Sequence, residues 1–190
     1  MIYISTDYVF DGKNPPYSHD SVPNPINDYG VSKLDGEKVV SAEDKSNIIL
    51  RIPILYGDVE YIDESAITTL FPKLKNSEKS VEMSDYEIRR PSHVQDIASI
   101  LHDLCQKIDS VEGIYQWCGK EPLTKYEMVK IMSQVFSLNH SHVKGIKEAS
   151  PGAPRPFDTS MDCSRLKNLG IEHHTQFSEG IKKALEKWKD

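Results

Sequence analysis

Apolar residues recur along this chain in two rhythms, short β-type runs and longer stretches at helical spacing. M-I-Y-I-S opens the chain as a buried-strand pattern. A loop follows that holds Pro15, Pro16, Pro23 and Pro25. From about Asn27 to Ala42 the pattern predicts a helix, with Asn27 or Asp28 as N-cap, Val31 and Leu34 on one side, and Gly36 as a weak point. N-I-I-L-R-I is a compact strand ended by Pro53, and I-L-Y-G-D reads as a turn. Residues 64–76 carry a modest helical pattern, and S-V-E-M a short strand. The clearest helix runs from His93 to Ile108, where Val94, Ile97, Ala98, Leu101, Leu104, Cys105 and Ile108 share a face. G-I-Y-Q-W-C reads as a strand. Thr124 with Glu127 then forms a capping-box signature ahead of Met128, Ile131, Met132, Val135 and Phe136. V-K-G-I-K predicts another short strand, S-P-G-A-P-R-P a stiff loop, and S-R-L-K-N-L-G a short helix stopped by Gly170. Ile181, Leu185 and Trp188 mark a last helix. Strands alternating with helices predict an α/β fold around a parallel sheet.

Composition narrows the function classes. At 190 residues, 38% hydrophobic and 27% charged, the chain has enough apolar material for a buried core. A net charge of −6 argues against a general nucleic-acid binder, which needs clustered Lys and Arg. No apolar run reaches a membrane-span length and the opening residues lack a signal-peptide pattern, so the expected location is cytoplasmic. Cys105, Cys118 and Cys163 lie far apart without C-x-x-C, which predicts reduced thiols.

Two tyrosine–lysine pairs share the spacing Tyr-x-x-x-Lys: Tyr29 with Lys33, and Tyr126 with Lys130. Spacing alone does not separate them, but context does. In a parallel sheet, ligands gather at the carboxyl ends of strands, and Ser5 and Thr6 end the first strand. The helix that follows presents Tyr29 and Lys33 one turn apart beside that end. Tyr126 has no such strand end before it. A phenol is a poor proton donor or acceptor at neutral pH until a nearby ammonium stabilises its phenolate. Tyr29 could then exchange a proton with a carbonyl oxygen during hydride transfer, with Thr6, or else Ser5, hydrogen-bonding that oxygen. The structural alternative is a helix-start aromatic beside a solvated lysine.

S-T-D-Y-V-F-D-G followed by N-D-Y-G-V-S-K-L-D-G-E-K resembles the extended short-chain dehydrogenase/reductase family, in its dTDP-4-dehydrorhamnose reductase branch. R-I-P-I-L-Y-G, R-R-P-S-H-V-Q-D-I-A and R-P-F-D-T-S-M-D-C-S-R-L extend the likeness over nearly the whole chain. The resemblance implies Thr6, Tyr29 and Lys33 in the family's catalytic positions, and Ser5, Tyr29, Lys33, Arg51, Pro53 and Leu55 against the nicotinamide end of NADP. It also implies a partial Rossmann-like parallel sheet over residues 1–60, whose amino-terminal half is missing here. A mixed α+β substrate-type subdomain would occupy residues 61–190, with elements returning to the core. No G-x-x-G-x-x-G occurs, so the cradle for the cofactor's pyrophosphate is not in this sequence.

Within that branch, I-P-I-L-Y-G-D-V-E, D-E-S-A-I, R-R-P-S-H-V-Q-D and Q-W-C-G-K-E-P-L-T-K-Y-E-M resemble the regulatory group that accompanies methionine adenosyltransferase. That likeness implies a non-catalytic role with the methionine adenosyltransferase catalytic subunit as partner, in S-adenosylmethionine synthesis. The enzymatic alternative is an NADPH-dependent sugar-nucleotide reductase of the dTDP-4-dehydrorhamnose type.

Other candidates read as structural. His140, His142, His173 and His174 lack the spacing of metal ligands. Asp96 falls in a first helical turn, where a carboxylate complements the dipole. Arg155, between two prolines, points either to an anionic ligand or to a sheet-edge carbonyl. Trp117 and Trp188 read as core.

Overall fold

A computed structural model describes residues 1–189. The central sheet has three parallel strands in the order β1 (Ile2–Thr6), β2 (Ile48–Ile52), β6 (Gly113–Gln116). Ile2 pairs with Ile48 and Thr6 with Ile52, while Ile48 pairs with Gly113 and Arg51 with Gln116. Pleating gives the sheet two unlike faces. Ile48, Leu50, Ile52, Ile2, Ile4 and Tyr115 point to one side, where helices α3 (Val94–Gln106) and α5 (Ser164–Asn168) bury them with Ile97, Ile100, Leu104 and Leu166. Tyr3, Ser5, Arg51 and Gln116 point to the other, toward helix α1 (Asp28–Glu43).

That second face is held by polar contacts. Arg51 is 1% exposed, and its Nε and Nη2 donate to Glu37 at 2.9 and 2.7 Å, while Nη1 reaches Gln116 at 3.3 Å. The Ser5 hydroxyl donates to the same carboxylate. This network explains why α1 shows so little apolar periodicity: its sheet-facing positions are Gly30, Lys33, Glu37 and Val40. Of the two apolar residues expected to share a side, Leu34 is half-buried against Val9, Phe10 and Tyr17, but Val31 is exposed. Gly36 is where helix and strand approach, because a Cβ there would lie 2.1 Å from the Tyr3 hydroxyl.

A second core surrounds the paired strands β4 (Val81–Ser84) and β7 (Val143–Ile146), with α2 (Leu70–Lys75), α4 (Lys125–Phe136) and α6 (Phe177–Leu185). Phe71, Leu74, Met128, Met132, Phe177 and Ile181 fill it. α4 starts at the expected capping box, with both reciprocal bonds between Thr124 and Glu127 formed. Two expectations need correction. The I-L-Y-G segment is not only a turn, since Leu55–Tyr56 form strand β3, parallel to β5 (Ser92–His93). Residues 64–69 are not helical, because Ser65 and Thr68 hydroxyls bond the carbonyls of Leu55 in β3 and Ile62 in the loop instead. The helix therefore begins only at Leu70, with Pro72 tolerated in its first turn.

Candidate functional site

At the carboxyl ends of β1 and β2 lies a cleft of about 410 Å³ lined by Ser5, Thr6, Asp7, Tyr8, Tyr29, Lys33, Ile52, Pro53, Ile54 and Leu55 among others. Each group arrives there for a local reason. β1 ends at Thr6, whose side chain accepts from the Tyr8 N–H at 3.2 Å and so caps a single 3-10 turn over Asp7–Val9. Asn27 caps α1 by accepting from the Gly30 N–H at 2.9 Å. That start places Tyr29 and Lys33 in the first two turns. A Cβ on Gly30 would lie 2.3 Å from the Tyr8 carbonyl oxygen, so the bare residue allows the helix to press against the 3-10 turn.

Lys33 Nζ donates to the Ile4 carbonyl at 2.5 Å and lies 4.6 Å from the centre of the Tyr3 ring. Its ammonium is thus fixed at the strand end. Tyr29 is 55% exposed, with its ring edge-on to Tyr8 at 6.0 Å. The Thr6 hydroxyl donates to Asp7 Oδ1 at 3.1 Å. Asp7, 3% exposed, also accepts from Thr159 and faces the charge of Arg89. Burial outweighs these partners and pushes its carboxyl up to about 6.

Thr6, Tyr29 and Lys33, expected as a catalytic group, line one cleft, together with Pro53 and Leu55. Ser5 borders the same space, but its hydroxyl turns behind the strand to Glu37. Arg51, expected on the cofactor side, directs its guanidinium to Glu37 and Gln116 on the face of the sheet that α1 covers. Sequence reasoning passed over Asp7, Tyr8 and Glu37. Glu37 was readable, since it stands one turn beyond Lys33 and two beyond Tyr29 on the same helix face.

The remaining candidates make contacts within the chain. Asp96 accepts from the Thr175 N–H and hydroxyl at 2.8 and 2.9 Å. Arg155 Nη1 donates to a carbonyl of its own loop, Pro151 O, at 3.5 Å. Trp117 is buried in the sheet core, and Trp188 packs against the second core. His140 bonds Ser133, His142 the Lys73 carbonyl, and His173 Asp103.

A nicotinamide nucleotide fits this cleft in part. The phenol, the ammonium and the backbone after β2 suit a nicotinamide riboside, whereas no glycine-rich turn is present to cradle a pyrophosphate.

Three comparisons bear on the cleft. The family model described as RmlD substrate binding domain matches residues 1–189. The chain is 46% identical over 189 residues to "Methionine adenosyltransferase 2 subunit beta" of Xenopus tropicalis, covering 97% of this chain and 57% of that relative. It is 29% identical to a dTDP-4-dehydrorhamnose reductase of Aggregatibacter actinomycetemcomitans over 90% of this chain and 62% of that one. Among solved structures, dTDP-4-dehydrorhamnose reductase of Bacillus anthracis in complex with NADP superposes with a TM-score of 0.83 at 26% identity, over 98% of this chain and 64% of that chain. This chain therefore spans under two thirds of the length of the relatives it matches.

Proposed function

The chain belongs to the RmlD substrate-binding-domain family, and we propose that within it the chain serves as a reductase-like regulatory subunit of a methionine adenosyltransferase, in the cytoplasm. The observation that carries this reading is the 46% identity with the beta subunits, against 29% with the reductase. The partner is the methionine adenosyltransferase catalytic subunit, and the consequence of binding is altered S-adenosylmethionine synthesis.

The cleft then serves to hold NADP. Lys33 would hold ribose hydroxyls, Tyr29 would cover the nicotinamide side, and the backbone from Pro53 to Leu55 would form the opposite wall. A bound nicotinamide supplies or accepts hydride. Tyr29 can donate to a carbonyl oxygen beside it and exchange the proton, and Thr6 can join it by turning its hydroxyl away from Asp7. That convergence favours a second reading, an NADPH-dependent sugar-nucleotide reductase.

Co-purification of this chain, and of a longer form carrying the preceding part of the fold, with the catalytic subunit tests the first reading. Association and a changed rate of S-adenosylmethionine formation are expected, and no association by either form overturns it. For the second reading, the longer form is assayed for NADPH oxidation with 4-keto sugar nucleotides. Absence of turnover overturns it.

A further inference from the structure

A second cleft, of about 470 Å³, opens where β6 ends and α5 begins, apart from the Tyr29–Lys33 site. Its wall includes Cys118, just after β6, and Cys163, just before α5, with Arg90, Lys120 and Lys167 around them. The two sulfurs are 3.7 Å apart although 45 positions separate them in sequence. Both thiols approach the same carbonyl, that of Met161, at 3.4 and 3.6 Å. Cys163 occupies the N-cap position of α5 without making a side-chain cap.

We propose that Cys118 and Cys163 form a peroxide-sensitive dithiol that closes into an intramolecular disulfide across this cleft. A disulfide needs sulfurs roughly 2 Å apart, so small side-chain rotations from the present separation complete it. The chemical asymmetry of the pair assigns the roles. The hydrogen bond from Cys163 pulls the Cys118 thiol below its usual range, aided by the charge of Arg90, against the opposing effect of burial. Cys163, as the donor in that bond and itself buried, is held above the usual range. Arg90 is fixed for this by bonds to Ser160 Oγ at 2.8 Å and the Lys120 carbonyl at 2.9 Å. Cys118 is 8% exposed and reached through the cleft, which admits a small oxidant such as hydrogen peroxide.

The step balances without a further reactant. The Cys118 thiolate attacks one peroxide oxygen, the O–O bond breaks, and a proton from solvent completes one water and Cys118 sulfenic acid. The Cys163 sulfur then attacks the Cys118 sulfur, the S–O bond breaks, and the thiol proton leaves with the hydroxide as a second water. Two thiols lose two electrons, and peroxide gains them. The product ties the carboxyl end of β6 to the start of α5 and closes a loop containing α4 and β7. By restricting the unfolded chain it shifts the folding equilibrium roughly a hundredfold toward the folded state.

The test uses the chain with Cys105→Ser, which removes the exposed third thiol. Samples exposed to graded hydrogen peroxide are alkylated and analysed by intact mass and non-reducing peptide mapping. The expected product has lost two hydrogens, joins the peptides carrying Cys118 and Cys163, reverts with dithiothreitol and unfolds at higher urea. In a Cys163→Ser variant, sulfenic acid accumulates at Cys118 and is trapped by dimedone. In Cys118→Ser, trapping at Cys163 falls at least tenfold. Full alkylation of both thiols after peroxide doses that oxidise Cys105 in the parent chain would overturn the proposal. So would over-oxidation of either sulfur without the cross-linked peptide.

Discussion

Replacing Glu37 with leucine strips the Arg51 guanidinium of two of its three side-chain hydrogen bonds while leaving it 1% exposed. Gln116 at 3.3 Å and the face of Phe10 at 5.1 Å remain, and neither carries a compensating charge. An arginine cannot shed its proton to escape, so the folded state bears the cost. Breaking a buried pair of this kind costs about 3–5 kcal/mol. That is at least about a fifth of a typical domain's stability. The double variant Glu37→Leu with Arg51→Met removes both charges at similar volume, leaving the Ser5 hydroxyl and Gln116 as the remaining polar deficits, at about 1–3 kcal/mol. The two changes should therefore couple by at least about 2 kcal/mol. Urea unfolding followed by circular dichroism gives the four stabilities of the parent, both single variants and the double variant, and an unchanged slope confirms that only stability moved. A single variant costing under about 1 kcal/mol, or a double variant as unstable as the sum of its singles, refutes the argument.

Further expectations follow from individual residues. Asp7 binds its proton more tightly folded than unfolded, so it favours the fold fully below pH 4, and that advantage fades as pH rises through about 6. The step from the usual 3.8 to about 6 is worth about 3 kcal/mol, and Asp7→Asn should flatten the stability profile between pH 4 and 7; an unchanged profile contradicts it. Gly30→Ala should destabilise by about 2 kcal/mol or more despite a better helix propensity, since the new Cβ meets backbone at 2.3 Å. Gly36→Ala meets only the end of the Tyr3 side chain and should cost less in the same melts. Thr124→Ala breaks the α4 capping box and a 2.9 Å bond to Asp85, for a loss of about 1–2 kcal/mol in thermal or urea unfolding. Tyr29→Phe in the longer form should leave stability within about 0.5 kcal/mol and partner association intact, while removing any NADPH-dependent reduction.

The strands and the longer helices were legible because each buries apolar residues at its own period. Ile48, Leu50 and Ile52 alternate, and Ile97, Ile100 and Leu104 follow the helical turn. α1 was found by its cap, since Asn27 marks its start, but its sheet-facing surface was not legible. Glycines, a glutamate and a lysine do not register as an apolar stripe, and only the buried arginine opposite makes sense of Glu37. Resemblance placed Arg51 at the cleft, and the pair that holds it elsewhere was not legible because its partner Glu37 lies on another element. Strand β3 was missed because a two-residue pairing depends on Ser92 and His93, far away in sequence. The cysteine pair lies beyond sequence reasoning for a similar reason: the fold closes 45 positions to 3.7 Å.

The three residues at the main cleft do not weigh equally in deciding between a reductase and a binding subunit. Lys33 ties α1 to the end of β1 through the Ile4 carbonyl and the Tyr3 ring. Thr6 caps the 3-10 turn and bonds Asp7. Both have work in the fold whether or not any chemistry occurs, so their presence is expected under either reading, and replacing them confounds function with stability. The Tyr29 phenol projects into the cleft from an exposed ring whose contact with Tyr8 does not need the hydroxyl. Loss of that single oxygen would remove any proton exchange and little else, which makes Tyr29 the position where a catalytic role and a structural one separate cleanly.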